Sequence, residues 1–537
     1  MFLLSSLKKN ILTCIAILCL GSSTMYPMSN LPSLKKTLEP LHQDSSFFEV
    51  CESILQLPEY EYTEDIASDF GESYEPIISM EMLSNLIAHV FSSMKEEYKQ
   101  LYNFSPQDID CLFDEEQGIC AKAFTVQPEA TIISIGDLHG NAHSLARIIN
   151  ALYKRKLITR DGILDKDAYL IFTGDLGDRG HYSIETWFLA LLLYKKNPKK
   201  VTILQGNHET KKLIEMYGML NELTIKYQKF CDSCFYDILN RAFFELFYLL
   251  PQTCFVGTLN AQNSYTFTQY FHAGLPDFLA ENNEYFSLQF NKLLNLTIRN
   301  MNNNAMTIYP QAPKHNGLIW NSFFSDPEAP AIKLPGNRCP LPNGAAQDQQ
   351  FHGIATLNYL EAHRKEKVYS VCGIIRGHDH LKYVSQLAYN KHPEPSRCLS
   401  NLELANWTPI KHPILLQVDP QNSSFPVVSI SSLANILDYD NFITLTFNKV
   451  YDTWQVNPFS KNKYDDVWQT KSQEITILPN PGMLSDYKKQ RTSLQIFRLP
   501  KPPTGLQKKP ITKTPIKPNV ITLPQSAAIT QQRKLFI

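Results

Sequence analysis

Five short strings carry the residue types that bind metal ions and phosphate, and they come in one order. They are Gly136-Asp137-Leu138-His139-Gly140, Gly174-Asp175-Leu176-Gly177-Asp178-Arg179-Gly180, Gly206-Asn207-His208-Glu209, His272-Ala273-Gly274 and Arg376-Gly377-His378. Phosphate esters resist hydrolysis because water is a poor nucleophile and the phosphate repels hydroxide. Two divalent ions answer both problems, since they generate a bound hydroxide at neutral pH and clamp the oxygens of an in-line displacement. A mixed set of oxygen and nitrogen ligands suits Mn, Fe or Zn, and the strings supply one. Asp137 and His139 can face one ion from a single turn. The Asp175 carboxylate can bridge to a second ion, Asn207 offers an amide oxygen, and His272 and His378 complete the second ion.

The remaining polar groups of the strings have natural roles beside such ions. Arg179 can hold phosphate oxygens as a fork. His208 can protonate the leaving alkoxide as a general acid, and Asp178 can hold its ring oriented and protonated. Any one string is a satisfied turn or a helix cap more often than a site. The five together, ordered along the chain, carry the reading.

The elements that must position these groups are legible as alternating runs. Apolar, strand-like runs precede most of the strings: Ile132–Ile135, Tyr169–Phe172, Val201–Leu204, Tyr265–Phe271 and Val368–Ile375. Helical periodicity falls between them, over Ala142–Lys156 and Ser183–Lys196. Strands alternating with helices predict an α/β fold, and the ends of such strands are where ligand sites form. Met80–Tyr102 carries Met82, Leu83, Leu86, Ile87, Val90, Phe91 and Met94 on one helical face. Glu281–His315 has no clean period and reads as helices plus a long loop. Residues 325–350 read as loop, and Ile414–Val418, Pro426–Ser431 and Phe442–Phe447 read as further strands.

Composition bounds the partners. A net charge of -1 over 537 residues gives no global attraction to nucleic acid or anionic membrane. The charge is uneven, with twelve acidic residues and no Lys or Arg over 37–94. This acidic stretch reads as a solvated face. Residues 498–537 hold eight basic residues, seven prolines and no acid. Such a tail buries little apolar surface and is expected to be disordered; its basic, Pro-rich content also suits a polyproline-binding adaptor. The eleven cysteines form no disulfide framework, and Cys231-Asp-Ser-Cys234 lacks a second pair.

At the start, Lys8 and Lys9 precede the run Ile11–Leu20 and then Gly21-Ser22-Ser23. That is the order of a secretory signal, in a run too short to span a bilayer comfortably. The expected organisation is a signal-like segment at 1–23, an acidic, mostly helical accessory region at 37–125, a catalytic domain at 126–455 and the tail at 498–537. The expected localisation is export; a membrane anchor or a cytoplasmic protein is the alternative.

The five strings resemble those of the phosphoprotein phosphatase family, the eukaryotic-type Ser/Thr phosphatases within the calcineurin-like metallophosphoesterases. That family shows GDxHG, GDxVDRG, GNHE, a His-Gly-Gly and an Arg-Ala-His. The resemblance covers roughly residues 130–450. It implies a β-sandwich flanked by helices with the metals at its rim. It implies metal ligands at Asp137, His139, Asp175, Asn207, His272 and His378, a general-acid pair at His208 and Asp178, and a phosphate-binding arginine at Arg179. Gly317-Leu318-Ile319-Trp320 with Ser325-Asp326-Pro327, and Ser429 to Asn435 with Asp440-Asn441, are weaker echoes.

Three departures stand out. Gly177 replaces a hydrophobic residue before Asp178, and Leu433-Ala434-Asn435 lacks the family's tyrosine over the site. His352-Gly353 stands where the family has a second phosphate-binding arginine, so the resemblance sets Arg179, Asn207 and His352 around the phosphate. His143, His181 and Asp379-His380 lie near the strings and are expected at the surface or behind the ligands.

The leading expectation is a metal-dependent protein phosphatase acting on phosphoserine and phosphothreonine, with phosphotyrosine also open, using two divalent ions (Mn, Fe or Zn), and exported as a secreted factor. Its partner is a phosphoprotein substrate and not nucleic acid. Two rivals remain: a nucleotide or dinucleoside polyphosphate hydrolase, and a non-catalytic binding protein on a phosphatase scaffold.

Overall fold

A computed structural model describes residues 40–60, 76–102, 118–227, 233–261, 264–274, 307–311, 322–323, 332–333, 349–351, 369–378, 415–417, 427–430, 432, 439–449, 453–464, 467–470 and 475–476. The signal-like segment 1–23, the tail 498–537, Cys231, Gly317–Trp320, Ser325–Pro327, His352, Asp379-His380 and Leu433–Asn435 lie outside the described residues.

The chain opens with helices α1 (Phe47–Leu55) and α2 (Met80–Tyr102). Strands β1 (Gly118–Thr125) and β2 (Thr131–Ile135), helix α3 (Ala142–Lys154), β3 (Ala168–Phe172), α4 (Ser183–Lys196) and β4 (Val201–Ile203) follow. Helices α5 (Lys211–Met216), α6 (Met219–Tyr227) and α7 (Ser233–Leu249) lead to β5 (Thr253–Leu259) and β6 (Tyr265–Phe271). The rest is β-rich: β7 (Thr307–Gln311), β8 (Ser322–Phe323), β9 (Ile332–Lys333), β10 (Gln349–Phe351), β11 (Tyr369–Arg376), β12 (Leu415–Gln417), β13 (Val427–Ser429), β14 (Tyr439–Asn448), β15 (Thr453–Asn462), β16 (Gln469–Thr470) and β17 (Ile475–Thr476). Among the described residues no helix is long and apolar enough to cross a membrane.

The fold is mixed α/β, with two large sheets flanked by helices. One sheet has the order β12-β13-β11-β6-β5-β1-β7, and the other runs β16-β15-β14-β2-β3-β4 with β17 beside β15. Successive side chains of a strand point to opposite faces, and here both faces of β2 and β3 are covered. Ile132 and Ile171 face the first sheet, in a core shared with Cys254, Val256, Tyr270, Cys372 and Ile375. Ile133, Ile135, Leu170 and Phe172 face the helices, against Leu145, Ile149, Trp187 and Leu191. Burial on both faces is why these strands read as continuous apolar runs. Trp454 ties the layers together, its Nε1–H donating to the carbonyl of Thr266 at 3.3 Å.

Some expectations need adjustment. The stretch Glu281–His315 contains strand β7, and the stretch 325–350 contains the short strand β9 and the start of β10. β7 pairs antiparallel with β1, which lies inside the stretch expected to be helical and itself pairs in parallel with β5. Pairing with a distant strand supplies what local periodicity does not show. The acids Asp44, Glu49, Glu52 and Glu59 are exposed, as a solvated face requires, and one of them also caps a helix. Ser46 and Glu49 form a capping box at the start of α1, with Ser46 N–H donating to Glu49 Oε2 at 2.6 Å. Phe47, Phe48, Val50, Cys51 and Ile54 of α1 are buried in the same core as α3 and α4.

Helix α4 follows Arg179 directly, and its start is held by a buried charge cluster. Glu222 accepts the main-chain N–H groups of Ser183 and Ile184 at 2.8 and 3.0 Å, capping α4 from a neighbouring helix. Lys226 Nζ donates to Glu222 at 2.6 Å, to Glu185 at 2.5 Å and to the carbonyl of His181 at 3.2 Å. All three charged side chains are fully buried. Removing the cation would leave carboxylates buried without compensation, which costs about 3–5 kcal/mol. Lys226→Met is therefore expected to lower the unfolding free energy by about that amount, read from urea denaturation. A loss below about 1 kcal/mol, typical of a solvent-exposed pair, would show that the cluster does not hold α4.

Candidate active site

Parallel pairing brings the ligand-bearing strand ends to one rim. In the helix-covered sheet Ile135 pairs with Phe172, and Phe172 with Ile203, so the strings after β2, β3 and β4 emerge side by side. In the other sheet Phe271 pairs with Arg376, so His272 and the Gly377-His378 step also emerge together. Bonds across the rim join the two sheets. His272 Nδ1 donates to the carbonyl of Thr173 at 3.0 Å, and the His378 main-chain N–H donates to both Asp137 oxygens at 3.0 and 2.9 Å.

The backbone is bent to achieve this. Six non-glycine residues among those described have positive φ, and five of them are His139, Asp175, Asp178, Arg179 and His378. Each such residue costs about 1–3 kcal/mol and persists only where its surroundings over-determine it. Glu209 determines the backbone at one of them, Asp175, and at the neighbouring Gly206. Its buried carboxylate accepts the main-chain N–H groups of Asp175, Leu176 and Gly206 at 2.8, 2.9 and 2.7 Å. Burial and the adjoining Asp175 charge push the Glu209 carboxyl up to about 8, against the pull of those N–H donors. Space is equally tight. A Cβ on Gly206 would lie 2.2 Å from Asp175 Oδ1, and one on Gly377 would lie 2.1 Å from Asp137 Oδ1.

Asp175 is the centre. Its Oδ2 lies 3.2 Å from His272 Nε2, 3.5 Å from His139 Nε2 and 4.0 Å from His208 Nε2, and its Oδ1 accepts the His208 main-chain N–H at 3.0 Å. Burial acts to raise this carboxyl, but the His272, His208 and His139 rings outweigh it and hold the group well below the ordinary range. Two sets of donor atoms lie within 4.8 Å of one another, namely His139, Asp175 and His208, and Asp175, His272 and His378. These sets bring together four of the six ligand candidates, His139, Asp175, His272 and His378, with His208 beside them. Asp137 lies on the His272 side, its Oδ1 3.7 Å from His272 Nδ1.

These residues fit divalent cations. A histidine that binds a metal donates its other ring N–H to a carbonyl or carboxylate. His139 Nδ1 does so to the carbonyl of Gly177 at 3.1 Å, as His272 does to that of Thr173. The His272 Nε2 lone pair is then aimed at Asp175 Oδ2, at Asn207 Oδ1 2.9 Å away and at His378 Nδ1 3.2 Å away. The Asn207 amide end lies 3.0 and 3.1 Å from the Asp175 oxygens, where a half-turn would make it a donor instead. Acceptors facing acceptors repel unless positive charge sits among them. The His272 ring shows the same demand: burial opposes its protonation, yet Asp175 and Asp137 raise it to about 9. The Asn207 orientation with its amide oxygen inward is the one that a cation stabilises.

His208 also has a carboxylate partner, but a different outlook. Its Nδ1 donates to Asp178 Oδ2 at 2.7 Å, and its Nε2 lies 3.1 Å from Arg179 Nη2. Asp178 Oδ1 accepts the Met219 N–H at 3.0 Å. Burial raises the Asp178 carboxyl, although His208 and the Met219 N–H pull the other way. Arg179 also reaches His139 Nε2 with Nη1 at 3.2 Å, and its guanidinium lies 5.6 Å from the Tyr217 ring centre. Tyr217 packs edge-on to His208 at 5.0 Å.

Several contributors escaped the sequence reading. Glu209 stands within Gly206-Asn207-His208-Glu209, where an acid after a strand-end Asn-His is the local signal for it. Glu222 and Lys226 look like a surface pair at helical spacing, and nothing local marks Tyr217. His143 and His181, expected at the surface or behind the ligands, are both buried.

Residues 130–382 match the family of calcineurin-like phosphoesterases. The chain is similar to the serine/threonine-protein phosphatase SIT4 of Candida albicans, 29% identical over 148 residues, which is 26% of this chain and 45% of that protein. It is similar to the serine/threonine-protein phosphatase PP1-1 of Saccharomyces cerevisiae, 31% identical over 146 residues, which is 26% of this chain and 44% of that protein. The match thus spans somewhat under half the length of these curated relatives. A solved protein serine/threonine phosphatase from Saccharomyces cerevisiae, with similarity to human phosphatase PP5, aligns at 15% identity with a TM-score of 0.37 over 78% of this chain and 96% of that one.

The crowding at Gly377 gives a direct test of the cation site. A methyl group there must displace Asp137. Gly377→Ala is expected to weaken Mn²⁺ binding by about 10–100-fold, as loss of a ligand's support does, read by calorimetric titration. Unchanged Mn²⁺ affinity in the folded variant would remove Asp137 from the ligand set.

Proposed function

We propose that this chain, with its calcineurin-like phosphoesterase domain over residues 130–382, is a metal-dependent protein phosphatase acting on phosphoserine and phosphothreonine. The observation that carries the reading is the single rim where Asp175 sits among three histidine rings, beside the His208–Asp178 pair and Arg179. The similarity to two serine/threonine-protein phosphatases supports the substrate class.

In this reading Asp137, His139, Asp175, Asn207, His272 and His378 would hold two divalent ions. Such ions supply a water that ionises near neutral pH and positive charge that offsets the phosphate. The chain's own groups do the rest. Arg179 presents two guanidinium N–H groups at the same rim, a fork suited to two phosphate oxygens. Asp178 fixes the His208 ring through Nδ1, so the proton that matters is at Nε2, facing the site. That proton passes to the leaving serine or threonine oxygen. Glu209 and Glu222 keep the backbone of both loops in place through their N–H bonds.

The test is phosphate release from phosphoserine, phosphothreonine and phosphotyrosine peptides, with nucleotides and a dinucleoside tetraphosphate as further substrates, with and without Mn²⁺. The expected result is Mn²⁺-dependent release from phosphoserine and phosphothreonine peptides, abolished by Asp175→Asn. His208→Gln is expected to lower kcat by about 10²–10⁴, the range of general acid catalysis. Release from nucleotides alone would replace this reading with a nucleotide hydrolase. No release from any substrate by folded, Mn²⁺-loaded protein would leave a binding scaffold.

A further inference from the structure

We propose that residues Leu57–Tyr60, which lie outside the phosphoesterase domain, are a positioning strap for the turn that carries Asp178 and Arg179. The inference rests on the phosphatase reading for its kinetic consequence and on geometry alone for its structural one.

Each of these four consecutive residues grips a different group beside the site. The Leu57 carbonyl lies 3.0 Å from His143 Nε2. The Pro58 carbonyl accepts the Tyr182 hydroxyl at 2.6 Å. The Glu59 carboxylate accepts Arg147 Nη1 and Nη2 at 3.1 and 3.2 Å. The Tyr60 ring stacks on the His181 ring with centres 4.7 Å apart and planes 27° apart, and lies 6.3 Å from the Tyr182 ring. His181 and Tyr182 are the residues that follow Asp178-Arg179-Gly180.

The strap falls where the backbone most needs it. Asp178 and Arg179 are consecutive residues with φ of 67° and 64°, and an L residue leaves that region when its surroundings allow. The inner side of the turn is held by the bonds from Arg179 N–H to the Tyr217 carbonyl at 2.8 Å and from Tyr182 N–H to the Gly140 carbonyl at 3.1 Å. Lys226 supports the same residues from within the helical layer, donating to the His181 carbonyl and lying 5.0 Å from the Tyr182 ring centre. The strap closes the remaining side.

The strap is itself held firmly. Helix α1 precedes it directly, with its capping box and buried apolar face. Arg147 is fixed by Asp440 on β14, to which Nε donates at 2.5 Å and Nη2 at 3.0 Å. Ser144 donates to the same carboxylate at 2.5 Å. Glu59 therefore attaches to a rigid cation. A segment tethered at this many points can transmit position, because the side chains it touches have nowhere to relax.

The experiment uses the full chain with Mn²⁺ and three variants: Tyr60→Ala, Tyr60→Phe and Tyr182→Phe. Kinetics on a phosphothreonine peptide and amide hydrogen exchange of residues 178–182 are measured together. Tyr60→Ala and Tyr182→Phe are expected to lower kcat on the order of tenfold, since small misplacement of a catalytic group costs up to a hundredfold. Amides in 178–182 are expected to exchange at least about tenfold faster, with those of β3 unchanged. Tyr60→Phe keeps the stacked ring and should match wild type in both readouts. Wild-type exchange and kcat in both Tyr60→Ala and Tyr182→Phe would overturn the strap. If wild-type protein releases no phosphate, the phosphatase reading fails, and the exchange data alone decide the strap. Tyr182→Phe removes only a hydroxyl, so the test does not depend on Tyr60→Ala folding well.

Discussion

A buried carboxylate surrounded by imidazole nitrogens is the interaction on which the rest of this structure depends. Asp175 and the inward-facing nitrogens of His139 and His272 place acceptors against acceptors in a buried region. Such an arrangement is stable only with positive charge at its centre. Much else follows from holding it. Two sheets are needed because His139, Asp175 and His208 come from one, whereas His272 and His378 come from the other. Ring nitrogens must be fixed by Gly177 and Thr173 carbonyls so that the opposite lone pairs point inward. The turns must be tight, which places five ordinary residues in left-handed backbone; Glu209 holds Asp175, the Tyr217 carbonyl holds Arg179 and the Asp137 carboxylate holds His378.

The local part of this design is legible in the sequence. A strand covered on both faces is apolar throughout, and a ligand at its end stands beside glycine. So Ile132–Ile135, Tyr169–Phe172 and Val201–Leu204, with the strings that follow them, could be read directly. The helix Ser183–Lys196 has the same bounds in the structure. What escapes is whatever depends on a distant partner. Strand Thr307–Gln311 exists because β1 pairs with it, and its own sequence has no strong alternation. Glu222 and Lys226 carry the spacing of a solvated ion pair, and only the tertiary fold buries them. His352, read as the counterpart of a second phosphate-binding arginine, lies outside the described residues.

The N-terminal segment shows the same limit from the other direction. Its excess of acids suggests solvation, and charge alone cannot distinguish a solvated acid from one with a fixed partner. Glu49 caps its own helix, and Glu59 meets an arginine already committed to Asp440. Apolar residues between the acids, chiefly Phe47, Val50, Cys51 and Ile54, anchor the segment to the helices that cover strands β2 and β3. The turn carrying Asp178 and Arg179 is thereby supported by the Tyr217 and Gly140 carbonyls, by the helix carrying Glu222 and Lys226, and by residues 57–60. Different parts of the chain, far apart in sequence, share the work of holding two strained residues.

The most direct measurement is anomalous diffraction from crystals of the full chain grown with Mn²⁺. Two Mn²⁺ peaks about 3.5–4 Å apart are expected, the spacing of two-metal sites, with the Asp175 carboxylate between them and His208 outside both coordination spheres. A single peak, two peaks that do not share Asp175, or none at this rim would contradict the two-ion site.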